Sequence, residues 1–331
     1  MEVTSHALDQ GRVDHINFDV AVFTNLTPEH LDYHKDIDTY VQTKQRLFAT
    51  LDPTKKKKKP SLHKTAIANA DSPYGAYMLQ KCTANKITYG LSPAADLKAT
   101  DIQLLQHGTQ MTLTFQGQTA TLLAPFPGRF NIYNTLAAIA VGLYKNISLH
   151  KIADIISKAP PVPGRLEAVP NSLGLKIYVD FAHSSDALIN VLEALQEFKQ
   201  GRLITIFGCG GDRDPYKRPL MAQACERFSD FAIVTSDNPR SEDPQEIAAQ
   251  IVKGFSPSYK HHLVELDRRK AIEKALDMAS PNDVILIAGK GHENHQVFAH
   301  KTIEFDDRKM ASWLCQQKAA CHALQPLSTQ Q

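Results

Sequence analysis

Leu203-Ile204-Thr205-Ile206-Phe207-Gly208-Cys209-Gly210-Gly211-Asp212-Arg213 is the stretch whose reading decides the fold. An uncharged run rich in β-branched residues suits a strand buried on both faces, and the glycines after it end that strand abruptly. The same grammar recurs on either side. Strands are expected at Lys176–Phe181, Phe231–Thr235, His262–Glu265 and Asp283–Ala288, with helical spacing between them near 185–199, 217–228, 244–254 and 267–279. Strands alternating with helices over this length imply a parallel sheet with helices on both faces. In such sheets ligands bind beyond the carboxyl ends of the strands. Asp180–His183, Gly208–Arg213, Ser236–Arg240 and Gly289–Glu293 all fall at those ends.

Upstream, the reading is of a second α/β unit. Phe18–Asn25 reads as a buried strand. Residues 36 to 50 have helical spacing, with Ile37, Tyr40, Val41, Lys44, Leu47 and Phe48 on one face. Short strand-like runs follow at Thr65–Asn69, Lys86–Tyr89 and Gln110–Phe115, and Gly128-Arg129-Phe130-Asn131-Ile132-Tyr133-Asn134 leads into a helix through Gly142. A further helix covers about 149 to 158. Ala159-Pro160-Pro161-Val162-Pro163-Gly164-Arg165 cannot continue it, so the expected domains are residues 1–160 and 161–331.

Composition narrows the class. With 43% hydrophobic and 22% charged residues over 331 positions, the chain has the makeup of globular domains, and a net charge of +2 gives no general basic face for nucleic acid. Lys55–Lys59 reads as a solvated loop. No apolar run approaches the roughly 18 residues of a membrane span, and the first residues have no signal-peptide pattern. The five cysteines form no CxxC pair, which disfavours zinc and disulfide frameworks and fits a reducing cytoplasm.

Four clusters carry chemistry. Glu2, His30, His34 and Lys44 combine a carboxylate, imidazoles and an amine that suit Mg2+ and phosphate oxygens, although structural histidines account for the same residues. Gly208–Arg213 opens like a dinucleotide fingerprint but has Arg213 where GxGxxG requires glycine, which disfavours NAD. Arg213 and Arg240 offer planar forks for carboxylates, while Asp237 and Asn238 suit an ammonium group; a zwitterionic amino acid would satisfy both, and so would a plain Asn-Pro turn with a surface arginine. Gly289-Lys290-Gly291-His292-Glu293 looks phosphate-like, yet GxxxxGK[ST] occurs nowhere in the chain.

Taken together, these segments resemble the Mur ligases of peptidoglycan synthesis, and among them the branch that adds diaminopimelate. The resemblance is carried by Glu2-Val3-Thr4-Ser5-His6-Ala7-Leu8, Thr24–His34, Tyr40–Phe48 around Lys44, Phe130–Asn134, Pro163–Glu167, Asp180-Phe181-Ala182-His183, Asp237-Asn238-Pro239-Arg240 and Gly289–Glu293. It implies an incomplete central ATPase domain followed by a Rossmann-like C-terminal domain. By the same resemblance, Glu2 and His30 are Mg2+ ligands and Lys44 matches a lysine carbamylated by CO2, these being the catalytic set. Thr4, Ser5, Gln10 and Arg12 match positions that contact UDP-N-acetylmuramoyl-L-alanyl-D-glutamate. Asn131 and Asn134, with Arg165, Asp180 and His183, match the ATP side. Arg213, Asp237, Asn238, Pro239, Arg240, Gly289 and Glu293 match the meso-diaminopimelate site, where Arg240 would meet the distal carboxylate that lysine lacks.

The implied reaction phosphorylates the dipeptide carboxylate with ATP, after which the amine of diaminopimelate displaces phosphate. Relatives carry a UDP-binding domain and a GKT loop ahead of the position of Glu2, so a missing N-terminal segment is the implied partner. Without it the expected rate falls on the order of 10³-fold or more. The alternatives are a non-catalytic remnant that binds diaminopimelate and a ligase like folylpolyglutamate synthase.

Overall fold

The computed structural model describes residues 1–27, 31–54, 63–105 and 107–324. The chain divides into two compact units, Met1–Ala159 and Pro160–Gln331.

In the first unit a sheet of six strands runs β1 (Val20–Phe23), β2 (Thr65–Asn69), β3 (Asn85–Gly90), β4 (Leu97–Leu105), β5 (Gly108–Phe115) and β6 (Gln118–Ala124), in that spatial order. The first four are parallel and the last two pair antiparallel as a meander. Alternation along β2 makes two cores at once. Ile67 joins Leu97, Met111, Leu113 and Leu122 on one face, while Ala66 and Ala68 join Phe23 and Phe48 on the other. The first face is covered by α5 (Arg129–Tyr144), through Ile132, Leu136, Ile139 and Ala140, and by α6 (Leu149–Ser157). The second is covered by α3 (Ile37–Ala49) and α4 (Gly75–Gln80); α1 (Ser5–Asp9) and α2 (Leu31–His34) complete the helices. The first strand is shorter than Phe18–Asn25 because the chain beyond Phe23 turns to other partners: the Asn69 amide donates to the Thr24 carbonyl, and Asn25 accepts from the Leu26 N–H. The lysine run at 55–59 lies outside the described residues.

In the second unit the strands are β7 (Glu167–Ala168), β8 (Lys176–Asp180), β9 (Leu203–Phe207), β10 (Phe231–Val234), β11 (His262–Val264) and β12 (Val284–Ala288). Their spatial order is β11-β10-β9-β12-β8-β7, parallel except for the short β7. The helices are α7 (Ser185–Gln196), α8 (Lys217–Phe228), α9 (Pro244–Val252), α10 (Arg268–Met278) and α11 (Asp307–Leu324). Ile204, Ile206, Ile285 and Ile287 form one core face with Ala271, Ile272 and Ala275 of α10 and Ala311 and Leu314 of α11. Three features were not expected from the sequence: β7, α11, and a hairpin of β13 (His295–Phe298) and β14 (Lys301–Glu304).

The order β10-β9-β12-β8 decides where the chemistry collects. These four strands are neighbours, roughly 4.8 Å apart, so the segments after them share one edge of the sheet. Those segments are the four clusters picked out at strand ends.

Candidate functional site

The segment after β10 is buried from Ser236 through Pro239, unusual for a polar turn, and its side chains are wired to the segment after β12. Asn238 donates through Nδ2 to Glu293 Oε2 at 2.8 Å and accepts through Oδ1 from Lys290 Nζ at 3.2 Å and from the Val297 N–H at 3.1 Å. Lys290, fully buried, also donates to Glu293 Oε2 at 3.1 Å. Burial works against ionisation of Glu293, but the Asn238 amide and the Lys290 ammonium outweigh it and hold the carboxyl below its ordinary range. Asp237 differs. Burial dominates and raises its carboxyl above the ordinary range against the opposing charges of Arg268 and Lys290, and no described residue donates a hydrogen bond to the carboxylate. Gly289 takes φ +115°, and a Cβ there would stand 2.4 Å from Asp237 Oδ2, so only glycine lets the two segments close on each other.

The segment after β9 lies alongside. Gly211 packs so closely that a Cβ would stand 1.9 Å from the Pro239 carbonyl oxygen. Arg240, in the left-handed region at φ +52°, donates from Nη1 to the Gly211 carbonyl at 2.7 Å, and its backbone N–H bonds Val297. Arg213 is exposed and donates to the Asp212 carbonyl. A Cβ on Gly210 would lie within 4 Å of both Arg240 Nη1 and Arg213 Cγ, so the two arginines flank one glycine. Asp212 sits beside them, its carboxyl held low first by Ser241 and then by both arginine charges. The buried Arg218 braces the whole turn by donating to both carboxylate oxygens of Glu242, to Gln250 and to the Gly210 carbonyl.

After β8, burial pushes Asp180 up to about 6, although its carboxylate accepts from the Leu166 and Ala182 N–H groups at 2.6 and 2.8 Å. The Arg165 guanidinium lies 5.0 Å over the Phe181 ring, and the His183 ring is 4.7 Å from it. His183 Nδ1 bonds the Phe181 carbonyl, leaving Nε2 as the outer nitrogen.

In the first unit, Thr4 caps α1 by accepting from the Ala7 N–H at 3.1 Å. Ser5 is buried and its hydroxyl has no hydrogen-bond partner among the described residues. Gln10 donates to the Tyr33 hydroxyl, and Arg12 is exposed. Lys44 donates to the Val3 carbonyl at 3.3 Å, which brings it to the backbone next to the exposed Glu2. His30 lies outside the described residues. His34 is buried in an aromatic group with His6, Tyr33 and Tyr40, a packing position. Asn131 and Asn134 bond each other at the start of α5, and Asn131 also donates to the Pro127 carbonyl. Among the described residues no group of three His, Cys, Asp or Glu side chains is placed to hold a metal ion. An ammonium at Lys44 does not suit a cation; the exposed Glu2 carboxylate does.

Residues 1–142 match the Mur ligase middle domain, and residues 164–291 match the Mur ligase glutamate ligase domain. The chain belongs to the Mur ligases. Members of this family are ATP-dependent ligases. It is 46% identical over 313 residues to the UDP-N-acetylmuramoyl-L-alanyl-D-glutamate–2,6-diaminopimelate ligase of Chlamydia pneumoniae, an alignment that takes in 93% of this chain and 62% of that protein. A solved structure of a ligase with the same name matches with a TM-score of 0.65 and 33% identity, over 96% of this chain and 64% of the other. Folylpolyglutamate synthase of Mycobacterium tuberculosis, at 19% identity and a TM-score of 0.65 over 83% of this chain and 62% of its own, shares the fold. The chain thus spans less than two thirds of the length of the Mur ligases it matches.

Sequence reasoning placed Lys290 in a phosphate-like cluster without assigning it to the site, and missed Gln296, Arg218 and Arg268. The arginines did leave a signal. Arg218 stands on one helical face with Met221, Ala222 and Cys225, and Arg268 with Ala271, Ile272 and Ala275, a charge on an apolar stripe in each case. Gln296 donates to the Ser236 and Asp237 carbonyls from a hairpin that the sequence reading did not include.

Proposed function

We propose that the chain supplies the middle and C-terminal parts of a ligase that joins meso-2,6-diaminopimelate to UDP-N-acetylmuramoyl-L-alanyl-D-glutamate in the cytoplasm, with ATP as the energy source. The single observation that carries this is the buried Asp237, Asn238 and Lys290, with the half-buried Glu293 bonded to them, set against Arg240 and Arg213. Two carboxylates and an amide beside two guanidinium groups fit a ligand bearing both ammonium and carboxylate charges. Among the described residues Asp237 has no hydrogen-bond donor of its own, so an incoming ammonium would complete it.

In this reading the γ-phosphoryl group of ATP passes to the dipeptide carboxylate and ADP departs. The diaminopimelate amine then attacks the acyl carbon, phosphate leaves and a proton is lost. The contribution of unit two is to hold the amino acid by its far end so that its reacting amine is placed, a positional effect rather than a chemical one. Arg240 meets the distal carboxylate. Asp180, Arg165 and His183, like Asn131 and Asn134, are assigned to ATP by the family resemblance. Thr4, Ser5, Gln10 and Arg12 contact the UDP-linked dipeptide; the buried Ser5 hydroxyl, without a partner among the described residues, supports a polar ligand there. Mg2+, when bound, would neutralise phosphate charge, with Glu2 and His30 as ligands. Lys44 would join them as a carbamate: the ammonium gives up a proton, the free amine adds CO2, and loss of a second proton leaves an anion. The 331 residues contain no GxxxxGK[ST] segment, so by themselves they are expected to bind diaminopimelate and to make amide slowly.

Calorimetric titration with meso-diaminopimelate and with L-lysine tests the reading. Diaminopimelate should bind at least ~10-fold more tightly, the equivalent of one lost charged contact. Equal affinity, or no binding of either, would refute it.

A further inference from the structure

We propose that the buried Arg268–Asp307 pair is a positioning device that holds the segments after β10 and β12 in register with each other. Both side chains are fully buried. Arg268 donates from Nε and Nη2 to the two carboxylate oxygens of Asp307, each at 2.7 Å, a two-pronged geometry that fixes the plane of the guanidinium. The remaining reach of that plane goes to backbone. Nη2 donates to the Ala288 carbonyl at 3.0 Å and Nη1 to the Ser236 carbonyl at 3.4 Å. Ala288 ends β12 and precedes Gly289; Ser236 precedes Asp237. These strands are not neighbours, because β9 lies between them. No ladder hydrogen bond therefore runs from one to the other, and the guanidinium supplies a direct link between their outgoing ends. The same group is a positive charge beside Asp237. The charged and titratable groups around that carboxylate are Arg268 from α10, Asp307 from α11, Lys290 and Glu293 from the segment after β12, and Cys209 from the segment after β9. Arg268 and Lys290 are the two that favour the carboxylate form.

The link has two consequences. It sets the spacing between Asp237–Arg240 and Gly289–Glu293, and it favours the ionised Asp237 that an ammonium ligand requires. The second consequence rests on the diaminopimelate reading; the first does not.

The test uses the full chain with the double substitution Arg268→Met/Asp307→Leu, an apolar pair that keeps the volume filled, alongside Arg268→Lys and Asp307→Asn. Amide hydrogen exchange reads the link without any ligand. In the double variant the amides of residues 236–238, 240 and 289–293 should exchange on the order of 10-fold faster, with those of the first unit unchanged. Asp307→Asn reports the same quantity should the double variant not fold. Exchange at the wild-type rate in both segments would overturn the proposal. Titration with meso-diaminopimelate across pH reads the charge. The acid side of the binding profile, where Asp237 takes up a proton, should move to higher pH in the double variant and return toward wild type in Arg268→Lys, which restores charge without the fork. An unmoved acid side would overturn the electrostatic consequence, leaving the link to be judged by exchange. Absence of diaminopimelate binding by the wild-type chain would defeat the functional reading instead, and exchange would still judge the link.

Discussion

The two units hold their candidate residues in different ways. In the second unit every link of the site has a buried cation: Arg268 to the equally buried Asp307, Lys290 to Asn238 and the half-buried Glu293, Arg218 to the half-buried Glu242. In the first unit the polar links are of another kind: Thr4 caps α1, Lys44 donates to the Val3 carbonyl and lies over the Tyr40 ring, and outside the candidate set Arg46 pairs with Asp9 in an exposed position. Buried pairs are costly to break and so hold geometry; exposed ones hold little. The second unit is therefore preorganised around the proposed amino-acid site, whereas the described candidate residues of the first unit are held with less buried charge.

This contrast can be broken most forcefully at Arg268. Arg268→Ala leaves Asp307 buried without its partner and should cost about 3–5 kcal/mol. Trp313 is the single tryptophan and lies on α11 next to the affected core, so its fluorescence during denaturant unfolding reports on this unit. A loss below ~1 kcal/mol would show that the pair is not structural.

Asp180 comes next. Its carboxyl is raised to about 6 in the fold, so the folded state holds the proton more tightly than the unfolded chain does. The penalty is absent at low pH, grows as pH rises through the ordinary carboxylate range, and is complete above about 6. Asp180→Asn cannot ionise. Its stability relative to wild type should therefore improve by on the order of 3 kcal/mol between acid and neutral pH. Parallel stability curves for the two proteins would contradict this.

The smaller effects belong to the first unit. Thr4→Ala removes the cap of α1 and should cost about 1 kcal/mol, visible as faster exchange of the Ala7 amide. Arg46→Ala removes an exposed pair and should change stability by less than ~0.5 kcal/mol in a melting experiment. A larger loss at Arg46 than at Arg268 would invert the comparison.

Much of this was legible in the sequence for a physical reason. Strands buried on both faces announce themselves, and Leu203–Phe207, Thr65–Asn69 and the helix at 217–228 have the expected bounds. The clusters at strand ends were visible because glycine and charged residues interrupt apolar runs. The strand order was not legible, since nothing local says that β12 inserts between β9 and β8. Nor was the hairpin, whose His295–Phe298 strand contributes through backbone and a single glutamine. The hydrogen-bond partners of the Asn238 side chain and the cations beside the Asp237 carboxylate lie 31 to 59 residues away, from Arg268 to Val297. Distance along the chain hides such contacts. Spacing alone could not separate an amino-acid site from an ordinary Asn-Pro turn; burial and wiring favour the former.

The central claim is that Arg240 recognises the carboxylate that separates diaminopimelate from lysine. A cycle of four affinities addresses it directly: wild type and Arg240→Met, each titrated with meso-diaminopimelate and with L-lysine. The account predicts a preference of at least ~10-fold for diaminopimelate in the wild type that shrinks to about one in the variant, with lysine affinity nearly unchanged. A preference that survives the substitution undiminished would contradict it.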